Sequence, residues 1–223
     1  MTSVDILIKN GRVIDCYNNV DEIKDVAISN GKIVDSAGVE SAQQVIDAAG
    51  CIVTPGLIDF HAHFNAQGSE FAVQPEATFF PTGVTTAVDA GTCGVANYES
   101  FRAKIMSQRV RVKAFLHVNP VGISTLNYPE SQDPRHYSEA KMLIFMEKYS
   151  DQLIGLKVRH SKEIVGDLGV TPIRKTIEIA EKAGCPIACH SSNPPVPTKE
   201  FVKEFRPGDF FAHVPRKRQY HHW

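Results

Sequence analysis

Two histidines one residue apart, His61 and His63, lie in the stretch PGLIDFHAHF. On a strand, residues i and i+2 point to the same face, so the two imidazoles would stand side by side and could share one metal ion. Asp59 falls on the same face and is placed to orient a ligand from behind. Ile58, Phe60 and Ala62 take the other face, which suits packing against outer helices. A bare His-x-His also occurs by chance on half-exposed strands. The preceding Pro-Gly and the strand-like context favour the ligand reading here.

Lys157, in IGLKVRHS, shares a strand face with Gly155 and Arg159, opposite Ile154, Leu156 and Val158. A lysine turned into an apolar interior is costly unless its charge is paired or removed. Reaction with carbon dioxide removes it and leaves a carboxylate-like carbamate able to bridge two metal ions. The plain alternative is a lysine at a strand end that reaches water. His190 ends the strand of CPIACHSS and His213 ends that of DFFAHV. Each alone reads as a hydrogen-bonded core histidine. Together with His61, His63 and Lys157 they occupy the C-terminal ends of successive parallel strands, the rim where barrel enzymes build their sites.

The elements that must position these residues change character along the chain. The first fifty-odd residues read as all-β. Residues 8–15 and 28–35 share the pattern Ile-x-Asn-Gly-basic-β-branched-β-branched-Asp, which predicts two similar hairpins in a small sheet. From Pro55 onward strands and helices alternate, with strands expected at 56–63, 85–90, 112–118, 154–158, 186–190 and 210–214. TPIRKTIEIAEKAG predicts a helix N-capped by Thr171, with Pro172 at its first position, an Ile173–Ile177–Ala180 stripe and Gly184 closing it. A second helix is expected from near Ser138. This alternation implies a parallel sheet with helices outside. A complete eight-unit barrel takes about 250 residues, roughly 30 per unit, so the residues after Pro55 make between five and six units. The expected architecture is an incomplete (β/α)8 TIM-like barrel of about six strands, residues 55–214. Residues 1–54 are expected as a separate small all-β domain, and 215–223 as an aberrant tail.

Composition narrows the function classes. With 24 basic and 25 acidic residues and a net charge of −1, nothing marks nucleic acid or an anionic membrane as the main partner. The five cysteines, Cys16, Cys51, Cys93, Cys185 and Cys189, are scattered without a CxxC spacing, so neither a disulfide framework nor a cysteine zinc site is indicated. A reducing, cytoplasmic setting is expected. The N-terminus does not read as a signal peptide, and no apolar run approaches membrane-spanning length. A small molecule is the expected partner. Self-association is left open.

VTPGLIDFHAHF, GVTTAVDAGT, IGLKVR, CPIACHS and GDFFAHV, in this order, resemble the amidohydrolase superfamily of metal-dependent hydrolases. The likeness is greatest to its deacetylase-like branch, related to dihydroorotases, hydantoinases and N-acyl-amino-acid deacetylases. The resemblance spans about residues 4–214. It implies a distorted (β/α)8 barrel with a small β-sandwich built from both chain ends, of which residues 1–54 are the N-terminal half, and a binuclear zinc centre, with His61 and His63 on one metal, His190 and His213 on the other, and Lys157 as a carboxylated bridge. It also implies hydrolysis of an amide or ester bond by a metal-held hydroxide, with an aspartate on the eighth strand carrying the proton to the leaving group. The expected activity is deacetylase-like, on N-acyl or O-acyl substrates. A cyclic amidase of the dihydroorotase or hydantoinase kind is the alternative, and a non-catalytic remnant or binding fragment is a third reading.

The family's seventh and eighth strands, and with them the catalytic aspartate, find no counterpart in the sequence. The chain as written is therefore expected to be inactive or weakly active, with an open barrel, exposed apolar strand faces and poor solubility. The tail PRKRQYHHW, read one nucleotide on with permitted codons, becomes Arg-Gly-Lys-Gly-Asn-Thr-Ile-Ile-Gly, a plausible barrel loop. A frameshift near Pro215 is the expectation, and coding DNA that cannot encode the shifted reading would remove it. Asp89, Gly91 and Thr92 end the second barrel strand and could line the site or turn the chain. His117 and Asn119 share a face on the third and could touch a substrate or support a ligand. Arg159 could meet a substrate carboxylate or pair with a nearby acid. Cys189 is expected to face the core.

Overall fold

The computed structural model describes residues 2–105, 108–123 and 130–213. The tail beyond residue 213, and with it the expected frameshift, lies outside the described residues. The chain divides into two compact units, Met1–Leu57 and Ile58–Trp223.

The first unit is all-β, as its alternating sequence demands. Its strands are β1 (Thr2–Lys9), β2 (Arg12–Asp15), β3 (Val20–Ile23), β4 (Val26–Ser29), β5 (Lys32–Val34), β6 (Val39–Asp47) and β7 (Ile52–Val53). They form a four-stranded sheet of order β5-β4-β1-β6 and a three-stranded sheet of order β3-β2-β7. Only one of the two Asn-Gly repeats is a hairpin. Asn30 and Gly31 both adopt positive φ, 51° and 70°, and β4 and β5 pair antiparallel across them. At the other repeat Asn10 alone is left-handed, at φ 65°. The chain there crosses between sheets: β1 pairs with β4 and β6, and β2 with β3 and β7.

The second unit contains β8 (Leu57–Ala62), β9 (Val84–Asp89), β10 (Arg111–His117), β11 (Leu153–Arg159), β12 (Ile187–His190) and β13 (Phe210–Ala212). They lie side by side in strict chain order in one sheet. The pairings from β9 through β13 are all parallel, and the Ala90 N–H donates to Ala62 O at 2.8 Å beside β8. Helices α1 (Pro75–Phe79), α2 (Tyr98–Ile105), α3 (Glu139–Lys148), α4 (Lys162–Val165), α5 (Thr171–Lys182) and α6 (Thr198–Phe201) occupy the connections. This is a curled partial (β/α) barrel, as the alternation predicted. In α5 the N-cap is Val170, so Thr171 is already helical and Pro172 follows it. Ile173, Thr176, Ile179 and Ala180 are the buried stripe of α5, with Ile177 partly covered, and Gly184, at φ 64°, ends the segment as expected. Full burial of an isoleucine such as Ile173 contributes about 2 kcal/mol.

The sheet separates two apolar layers. The larger joins Leu116, Leu156, Val158 and Cys189 to Met142, Ile173, Ile179 and Phe201 from the helices. The smaller, inside the curl, holds Val88, Phe115 and Ala188. Phe60 belongs to this inner side rather than to the outer helices: its ring lies 6.0 Å from Phe115 and 4.7 Å from Phe210. Because β8 and β13 are the two edges of the sheet, the Phe60–Phe210 contact shows the curl bringing the edges together. Apolar surface nonetheless stays exposed on β8, at Leu57 and Ile58. All five cysteines are free. Among the described residues, no helix is long and apolar enough to cross a membrane.

Candidate metal centre

The curl places three of the predicted histidines together. His61 comes from β8, His190 from the end of β12, and His213 from the residue after β13. The ring centroids are 5.0 Å apart for His61 and His213 and 4.7 Å for His190 and His213. One ligand atom from each of the three can be chosen so that all lie within 4.8 Å of one another. His213 follows β13 in a left-handed backbone conformation, φ 59°. Burial first, then the charge of Lys157, lowers the His61, His63 and His190 imidazoles to about 3. The same two causes lower His213. All four rings are therefore neutral at pH 7 and keep a lone pair for a metal.

His63 stands beside His61, with ring centroids 5.7 Å apart. Its Nδ1 is 2.8 Å from Thr92 Oγ1, and the Thr92 hydroxyl donates to Asp89 Oδ2 at 2.7 Å. Having given away its only hydrogen, that hydroxyl accepts from His63 Nδ1–H, which leaves Nε2 as the free lone pair. Asp89 is fully buried. Burial pushes its carboxyl up, and donated hydrogen bonds pull it down. The N–H groups of Phe64, Gly91 and Thr92 join the hydroxyl as donors; they favour the ionised form, but burial outweighs them and the net shift is upward. Asp59 does not orient a ligand ring: its carboxylate accepts the backbone N–H of His61 at 2.9 Å.

Lys157 lies inside the curl, 1% exposed, and its Nζ has no hydrogen-bond partner among the described residues. Burial is the main cause that lowers its pKa, to about 8. His117, fully buried, is its register partner on β10. The Asn119 N–H donates to His117 Nδ1 at 2.9 Å, while Nε2 has no partner among the described residues. Arg159 pairs with Glu130 at 3.4 Å, both side chains largely covered, so of its two readings the structure realises the ion pair. Cys189 is buried in the outer layer, as expected, and burial raises its thiol to about 12.

The sequence reading overlooked Glu130, which sits in a connection without periodicity, and His160, fully buried and stacked on Phe201 at 5.2 Å. The only signal for His160 was its place one residue beyond the Lys157 strand.

No family model matches the sequence. The chain is 36% identical over 192 residues to Deacetylase Atu3266 of Agrobacterium fabrum, covering 82% of this chain and 46% of that protein. It is 34% identical over 170 residues to a deacetylase of Brucella anthropi, covering 75% and 42%. A crystal structure described as a dihydroorotase superposes with a TM-score of 0.83 at 32% identity, over 92% of this chain and 56% of that one. The chain thus spans about half the length of the curated relatives it matches.

Proposed function

The chain belongs to the amidohydrolase superfamily, and on that premise we propose that it carries the metal site of a hydrolase that cleaves amide or ester bonds in N-acyl or O-acyl compounds. The observation that carries this reading is the meeting of neutral His61, from the β8 edge of the sheet, with His190 and His213, beside and at the β13 edge, and a buried Lys157 inside the curl with no partner among the described residues. The donor set fits zinc: imidazoles that stay uncharged at neutral pH, and an amine whose burial asks for removal of its charge. His61, His63, His190, His213 and a carboxylated Lys157 would hold two zinc ions. Bound zinc would supply a Lewis acid for an acyl carbonyl and a water acidified toward neutral pH.

The chain's own residues prepare the site. Thr92 and Asp89 fix the tautomer of His63. Asn119 fixes that of His117. Glu130 holds the Arg159 guanidinium. In the family the proton-carrying aspartate stands on an eighth strand, and the described strands of this sheet number six. Metal content is therefore the primary readout and turnover the second.

The test is zinc stoichiometry of the purified 223-residue chain, with and without His61→Ala, followed by hydrolysis of N-acetyl-amino acids and acetate esters. About two zinc ions per chain, lost in the variant, support the reading. No reproducible zinc supports a non-catalytic fragment instead. The similarity to the structure described as a dihydroorotase favours a cyclic amidase as second reading. Cleavage of dihydroorotate or hydantoins in preference to acyl compounds would select it.

A further inference from the structure

His117 and Lys157 are register partners on adjacent parallel strands, and both flank Gly91. A Cβ built on Gly91 would lie 2.4 Å from Lys157 Cγ and 3.4 Å from His117 Cδ2. Cδ2 is the ring atom bonded to Nε2, so the Nε2 edge of His117 borders the same small space as the lysine stem. The Asn119 N–H occupies the lone pair of His117 Nδ1, so the ring proton of the neutral imidazole is on Nε2. His117 Nε2 and Lys157 Nζ are both buried without a hydrogen-bond partner among the described residues. With Lys157 as the ammonium both groups are donors only, which cannot satisfy each other, and each one left unmet is unfavourable. One acceptor within reach of both would satisfy them.

We infer that His117 is a positioning residue whose Nε2–H donates a hydrogen bond to a carbamate oxygen of Lys157. This rests on the carbamate named under the proposed function. Carbamate formation supplies the missing acceptor. The neutral Nζ lone pair attacks the carbon of carbon dioxide and the N–C bond forms. One C=O electron pair moves onto oxygen, and one N–H proton leaves to water. Counting the proton that the ammonium gives to water before the attack, the donor-only ammonium becomes a group with two acceptor oxygens, one of which takes the His117 proton donor. Asn119 acts one step further back, because it decides which ring nitrogen carries the hydrogen.

The experiment loads the 223-residue chain with zinc in 13C-bicarbonate and reads the carbamate carbon by 13C NMR. It also follows loss of the label after transfer to unlabelled buffer. The wild type is expected to show the signal. His117→Gln, whose amide places a donor near the Nε2 position, is expected to retain it. His117→Phe, which keeps the ring and loses the donor, is expected to lose label at least tenfold faster. His117→Ala replaces the phenylalanine variant if the latter does not fold. Equal retention by the donor-free variant and the wild type overturns the inference and leaves the carbamate standing. A zinc-loaded wild type with no signal overturns the carbamate itself, and this inference with it.

Discussion

Thr92 Oγ1 lies 2.8 Å from His63 Nδ1 and passes its own hydrogen to Asp89. One buried hydroxyl thus joins a carboxylate at the end of β9 to a predicted ligand beyond β8. Its removal should uncouple them. Thr92→Val leaves His63 free to rotate and strips a donor from Asp89. We expect zinc affinity to fall about 10- to 100-fold and stability by about 1–3 kcal/mol. Thr92→Ser should keep both near the wild-type values. Competition titration with a zinc chelator measures the first and urea denaturation the second. A valine variant that binds zinc like the wild type would show that Thr92 does not orient His63.

Gly91 should tolerate no side chain. It sits at φ 84°, and a Cβ would fall 2.5 Å from the Lys157 Cβ, an atom tied to the β11 backbone. Gly91→Ala should cost about 2–4 kcal/mol from left-handed strain and overpacking together. It should also displace Lys157 and reduce zinc content. Wild-type stability in this variant would mean that the chain after β9 does not press on the Lys157 stem.

Acid should destabilise the metal-free chain early. His61, His63 and His190 titrate at about 3 when folded, and His160 at about 4, chiefly through burial, against 6.5 ordinarily. Below about pH 6.5 the unfolded chain takes up protons that the folded chain refuses, so stability falls as pH drops from 6.5 toward 4. Above pH 6.5 these groups are neutral in both states and contribute no slope. Urea midpoints across pH 8 to 5 test this. A midpoint that holds or rises on acidification contradicts it.

The Glu130–Arg159 pair is covered enough to be costly when broken. Glu130 is 8% exposed along its side chain and Arg159 18%. Glu130→Gln should destabilise by about 3 kcal/mol, because it leaves a covered guanidinium without its counter-charge. The double variant Glu130→Leu, Arg159→Met should recover much of that loss. Additive losses in a double-mutant cycle would show that the two residues act independently.

The sequence alone determined the six barrel strands, their order of appearance and the placement of histidines and a lysine at their ends. Alternating apolar residues and the βα rhythm are local, and local signals survive in a linear reading. It did not determine the two Asn-Gly repeats correctly. Both have the same turn chemistry, but β2 finds its partners in β3 and β7, which is a matter of long-range pairing. Nor did period-2 alternation place Phe60, since the curl of the sheet, not the strand, decides that it meets Phe115 and Phe210. The sequence reading paired His61 with His63 by spacing. The fold additionally sets His61 against His190 and His213, from strands more than a hundred residues away. The tautomers of His63 and His117, and the covered ion pair of Arg159, likewise depend on Thr92, Asn119 and Glu130. These partners come from other elements or from loops, where no periodicity announces them. Only the folded sheet brings such groups within hydrogen-bonding distance.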